Sequence, residues 1–90
     1  MKENLIKVII VDDHPVVLQG FEYILQEAED IKLVGKFADA KSLRSYLKNN
    51  LVDIILMDIN LPDSNGIDEC AYIKKEFPAT QNIGISNSER

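Results

Sequence analysis

Residues 8–13 read VIIVDD: four apolar, strand-forming residues run straight into two adjacent carboxylates. Asp12 and Asp13 repel each other, a cost relieved when a cation sits between them. A second run of the same shape, DIILMDIN at 53–60, reaches Asp58. Both runs are apolar on either face, as in strands buried within a parallel sheet.

Working outward, strands are predicted at 5–11, 31–38, 52–57 and 82–86, with Gly35 marking a bulge in the second. Three helical stripes fall between them. Pro15 suits the first turn of the first helix, which carries Val17, Leu18, Phe21, Ile24, Leu25 and Ala28 on one face and ends near residues 29–30. Asp39 caps the second helix, with Leu43, Tyr46 and Leu47 inward. The segment 60–66, NLPDSNG, is dense in turn formers. A third helix carries Ile67, Cys70, Ala71 and Ile73 and closes at Phe77-Pro78. Cys70 and Met57 read as packing residues, His14 as a solvent-facing first-turn residue, and Lys74-Lys75-Glu76 as a solvated face.

The order β-α-β-α-β-α-β implies parallel strands joined by right-handed crossovers, with helices on both faces. Ligands of such sheets sit beyond the carboxyl ends of the strands. Asp12, Asp13, Asp58 and Ser86 all fall there. Taken singly, the aspartates read as caps or turns and Ser86 as a loop residue. Three strands bringing them to one rim make a site.

Ninety residues form one small domain, burying only about 60–65% of the unfolded surface. Composition is that of a soluble globular chain, 46% hydrophobic and 28% charged, and a net charge of −5 argues against direct nucleic-acid binding. The one cysteine cannot form an internal disulfide. The N-terminal apolar stretch, broken by Lys7, is too short for a leader or membrane span, so the expectation is a cytoplasmic protein with no membrane partner.

Clustered carboxylates suit Mg²⁺, which prefers oxygen ligands and is commonly held beside a phosphate. A carboxylate is also a nucleophile toward phosphorus, and a hydroxyl such as Ser86 can hydrogen-bond a phosphate oxygen. VIIVDDHPVV, ILMDINLPDSNG and NIGIS together resemble the receiver domain of bacterial two-component response regulators, from about Lys7 to Ser86. DDHPVV further resembles the subfamily with a LuxR-type helix-turn-helix output. The resemblance implies a flavodoxin-like doubly wound fold and a switch that accepts a phosphoryl group from a histidine kinase on Asp58. It implies that Asp13, Asp58 and the backbone carbonyl of Asn60 ligate Mg²⁺, with Asp12 acting through a metal-bound water. Ser86 is then the switch hydroxyl, and Pro62 and Gly66 shape the loop after the acceptor. DNA would be bound only through an output domain outside this chain.

Against the family pattern, residues 1–90 form a receiver that stops after the fourth strand. The fourth helix, the fifth strand with its phosphate-pairing lysine, and the fifth helix do not fall within these residues, so the expectation is a fragment or a natural or engineered truncation. The fourth strand is then an edge, and the sheet face beside the first helix is bare. The expectation is a homodimer through that surface, with weak Mg²⁺ binding and weak signalling. Two other readings stay open: a receiver-like dimerisation module that does not signal, and an aspartate-nucleophile phosphatase. The phosphatase reading is opposed by adjacent acids in place of D-x-D, and by the shortness of the chain.

Overall fold

A computed structural model describes residues 5–85. The elements run β1 (Ile6–Val11), α1 (Pro15–Gln26), β2 (Ile31–Phe37), α2 (Ala40–Leu47), β3 (Ile54–Asp58), β4 (Asn60–Leu61), β5 (Ser64–Asn65), α3 (Gly66–Glu76) and β6 (Gln81–Ile85). Four strands pair in parallel in the order β2-β1-β3-β6, the arrangement expected of a flavodoxin-like sheet through its fourth strand.

The register explains why the apolar runs fold this way. Val8 to Val11 of β1 pair with Ile54 to Met57 of β3, so two runs that are apolar on both faces lie flush at the sheet centre. One face is closed by α2 and α3: Ile9, Val11, Ile55 and Met57 meet Leu43, Leu47, Leu61 and Ile73 in the buried core. Cys70 is half-buried against that cluster, and the 74–76 face is exposed.

The opposite face is thinner. α1 packs over β2 and β1, yet it has no fully buried residue. Ile24, expected inward, is 64% exposed, because α1 does not extend over the β3–β6 half of the sheet. There Ile54, Leu56, Ile83 and Ile85 share one face by strand alternation, and Ile83 is exposed.

Several boundaries differ from the sequence reading, and so does the position of the β2 bulge. α1 stops at Gln26 because the Glu27 and Ala28 N–H groups turn back three residues, to the Ile24 and Leu25 carbonyls. β3 starts at Ile54 and runs one residue further, through Asp58. In β2 the bulge falls at Val34, which lies between Leu33 and Gly35, the partners of Val8 and Ile9. The turn-rich stretch after Asp58 also holds a small antiparallel hairpin, β4–β5, with Pro62 and Asp63 at its tip.

Candidate functional site

The same register builds the rim. Val11 pairs with Met57, so the next residues, Asp12 and Asp58, emerge side by side from the two central strands. Asp12 is held by its N–H, which donates to the Phe37 carbonyl of β2 at 2.9 Å. Both aspartates are buried, at 3% and 1% exposure, whereas Asp13 faces solvent. Ligand-type atoms of Asp12, Asp13, His14 and Asp58 all lie within 4.8 Å of one another.

The two oxygens of Asp58 differ. Oδ1 accepts the Asn60 N–H at 2.9 Å. Oδ2 is buried and has no hydrogen-bond partner. A buried carboxylate oxygen without a donor is costly. Here it faces two further carboxylates, and a hard cation satisfies all three. The residues therefore fit Mg²⁺: Asp12, Asp13 and Asp58 would hold it through oxygen.

His14 stands at the edge of the carboxylate cluster. It is the N-cap of α1 rather than a first-turn residue, and its side chain is half exposed. Its backbone N–H donates to Asp12 Oδ1 at 2.8 Å, and its ring Nδ1 lies 2.7 Å from the same oxygen. Nδ1 is also 3.2 Å from Asp13 Oδ1 and 3.8 Å from Asp58 Oδ2. The hydrogen bond to Asp12, followed by the Asp13 charge, raises the imidazole pKa above its ordinary value.

The segment after Asp58 is tied down at several points. The Ile59 N–H donates to the Ile85 carbonyl, and the Ile59 carbonyl accepts the Gly66 N–H at 2.9 Å. Asp63 accepts the Ala40 and Lys41 N–H groups, so this loop caps α2 from outside, while Asp39 caps it through the Ser42 N–H. Asn65 caps α3. Beyond the hairpin, Arg44 of α2 grips the fully buried Glu69 of α3 with two hydrogen bonds, 2.8 and 2.7 Å, and Ser64 Oγ donates to Glu69 at 3.2 Å.

Of the residues named from sequence, the structure brings Asp12, Asp13 and Asp58 together. Asn60 is exposed at the start of β4, Pro62 is exposed at the hairpin tip, and Gly66 is buried at the start of α3. Ser86 lies outside the described residues. Three features escaped the sequence reading. His14 turns its ring into the cluster, a contact foreshadowed by its place immediately after two acids. Asp63 reads as an ordinary turn residue, and nothing local pairs Arg44 with Glu69.

Comparison with known proteins follows the same outline. The family model for the response regulator receiver domain matches residues 8–90. The transcriptional regulatory protein RcsB of Escherichia coli (strain K12) is 35% identical over 86 residues, which is 92% of this chain and 40% of that protein. The isolated REC domain of RcsB from Salmonella enterica serovar Typhimurium, in the presence of the phosphomimetic BeF3−, superposes with a TM-score of 0.88 at 33% identity, covering 96% of this chain and 65% of that one. A structure of two RcsB dimers bound to two parallel DNAs gives a TM-score of 0.90 at 32% identity, over 97% of this chain and 47% of that one. The chain thus spans about two fifths of the curated relative it matches.

Proposed function

The chain belongs to the response regulator receiver domain family, the phospho-accepting switches of two-component signalling, and on that premise we propose that Asp58 is its acceptor. The observation that carries this is the buried, unpartnered Oδ2 of Asp58, beside two more carboxylates at the carboxyl rim of a parallel sheet. A histidine kinase would be the donor: an Asp58 oxygen bonds to phosphorus as the phosphohistidine N–P bond breaks, and the electron pair returns to the imidazole. Asp12 and Asp13, with the Asn60 carbonyl, would complete the Mg²⁺ ligand set, Asp12 through water. Bound Mg²⁺ would supply charge neutralisation for the incoming phosphoryl group.

Burial of Asp58 keeps bulk water from its carboxylate, and the Asn60 N–H fixes the oxygen that does not react. Pro62 and Gly66 shape the tethered loop through which a new charge would be felt, and Ser86 would hydrogen-bond the phosphate. A phosphoryl group adds roughly −1.5 to −2 charges. That charge would displace His14 from Asp12 and strain the hairpin that caps α2. The switch is regulatory rather than a turnover enzyme. No helix among the described residues is long and apolar enough to cross a membrane. The RcsB relatives are transcriptional regulatory proteins, and one is a dimer on DNA. The whole protein would accordingly act on DNA through a LuxR-type output domain, and would pair as a dimer as that relative does.

The test is intact-mass analysis after incubation with a small acyl phosphate, with and without Mg²⁺, beside Asp58→Asn. One Mg²⁺-dependent phosphoryl adduct per chain, absent from the variant, is the expected result. An adduct that survives Asp58→Asn places the acceptor elsewhere, and steady turnover of a phosphomonoester would favour a phosphatase.

A further inference from the structure

The cation site has a nitrogen at its edge that the all-oxygen ligand set leaves out. His14 Nδ1 lies 2.7 Å from Asp12 Oδ1, 3.2 Å from Asp13 Oδ1 and 3.8 Å from Asp58 Oδ2. Metal–ligand bonds of about 2.0–2.2 Å put neighbouring ligand atoms about 2.8–3.6 Å apart, in octahedral or tetrahedral geometry. All three separations lie within a few tenths of an ångström of that range. The ring nitrogen is therefore within reach of a fourth ligand position, in a cluster whose ligand atoms all lie within 4.8 Å of one another. Exposed acids often cluster with no ion between them. Here, however, one of the three carboxylates is 1% exposed, and its Oδ2, aimed into the cluster, has no hydrogen-bond partner.

We propose that His14 is a ligand of the Asp12–Asp13–Asp58 site, adding one nitrogen to its oxygen ligands, so that the site favours borderline first-row ions such as Co²⁺, Ni²⁺ and Zn²⁺ over Mg²⁺. Imidazole suits those ions and contributes little to Mg²⁺, which keeps its waters. The exchange balances: Nδ1 gives up any proton it holds to solvent as it takes the metal, and its hydrogen bond to Asp12 Oδ1 is replaced by its bond to the ion. The side chain is free to make the change, because it caps none of the N–H groups of α1.

The inference rests on the three-carboxylate reading of the site, and the experiment separates the two. Mg²⁺ and Co²⁺ affinities are measured by titration calorimetry for the chain and for His14→Ala, with far-ultraviolet circular dichroism confirming the fold. The expected result is a Co²⁺ affinity lower by about tenfold or more, the scale set by losing even an outer partner of a ligand. Mg²⁺ affinity should hold, since Mg²⁺ takes oxygen ligands and gains little from imidazole. If both affinities shift together, or neither shifts, His14 is not a ligand and the inference falls while the carboxylate site stands. If Mg²⁺ does not bind the unaltered chain, the site reading falls, and the inference with it. A second readout needs no variant: with NMR-active cadmium bound, the His14 Nδ1 resonance should show scalar coupling to the metal. Its absence in the saturated protein would overturn the assignment.

Discussion

Gly66 lies directly against the backbone of Ile59. A Cβ built on Gly66 would sit 2.1 Å from the Ile59 Cα and 2.6 Å from its carbonyl carbon. The glycine backbone angle is ordinary, so close approach and not left-handed geometry demands it. The contact draws the start of α3 onto the residue after Asp58, and the Gly66 N–H then reaches the Ile59 carbonyl.

Gly66→Ala should destabilise the fold by about 3 kcal/mol, the upper end of the overpacking range, because main-chain atoms cannot yield as a side chain would. Gly20 is the control. It lies within α1 with nothing near its would-be Cβ, so Gly20→Ala should stabilise by about 0.5–1 kcal/mol. Urea unfolding reads both, and equal effects at the two glycines would refute the close-approach account.

The Arg44–Glu69 pair yields a second expectation. Glu69 is fully buried and Arg44 is half in water. Arg44→Met strands a buried carboxylate, and should cost about 2–3 kcal/mol, less than for a fully buried pair because of solvent screening. Adding Glu69→Gln should recover most of that loss, since the neutral amide keeps a partner in Ser64. If the double variant is no more stable than Arg44→Met, the pair is not what holds α2 to α3.

Asp39 gives a pH dependence. The Ser42 N–H bond lowers its pKa below the ordinary value of 3.8. A carboxylate whose folded pKa is depressed contributes stability that is present above its unfolded pKa and is lost as pH falls through the folded one. Asn is an equally good cap that does not titrate. Asp39→Asn should therefore match the unaltered chain near neutrality and lose less stability below pH 3.8, as thermal melts across acidic pH would show. Parallel curves would mean that Asp39 contributes nothing through its charge.

Much of this was legible beforehand, for a physical reason. The runs ending at Asp12 and Asp58 are apolar on both faces, as central strands of a parallel sheet are, and with the alternating helices that placement gives the shared rim. The Asp39 cap was legible because capping is local. The Arg44–Glu69 grip was not, since 25 residues separate the partners and neither carries a local signal. The exposure of Ile24 was missed because helical periodicity reports which face is apolar and not how much sheet lies beneath it. The capping by Asp63 was hidden because the same residue type serves equally well in a turn.

Charge crowding at the rim gives the last prediction. In metal-free protein, Asp58 Oδ2 is buried without a donor beside two other carboxylates. Asp58→Asn replaces one of its oxygens with an N–H₂ group able to donate to Asp12 or Asp13. The metal-free variant should be more stable by about 1–3 kcal/mol, the cost of leaving a buried polar group unsatisfied. The order should invert at high Mg²⁺: an ion at a thousand times its Kd adds about 4.1 kcal/mol to the unaltered chain. The variant, lacking a ligand, should gain little. Thermal melts of both proteins, with EDTA and across a Mg²⁺ series, test this directly. A variant less stable than the unaltered chain in EDTA would mean that Asp58 is already satisfied without metal, and the central argument for the cation site would be lost.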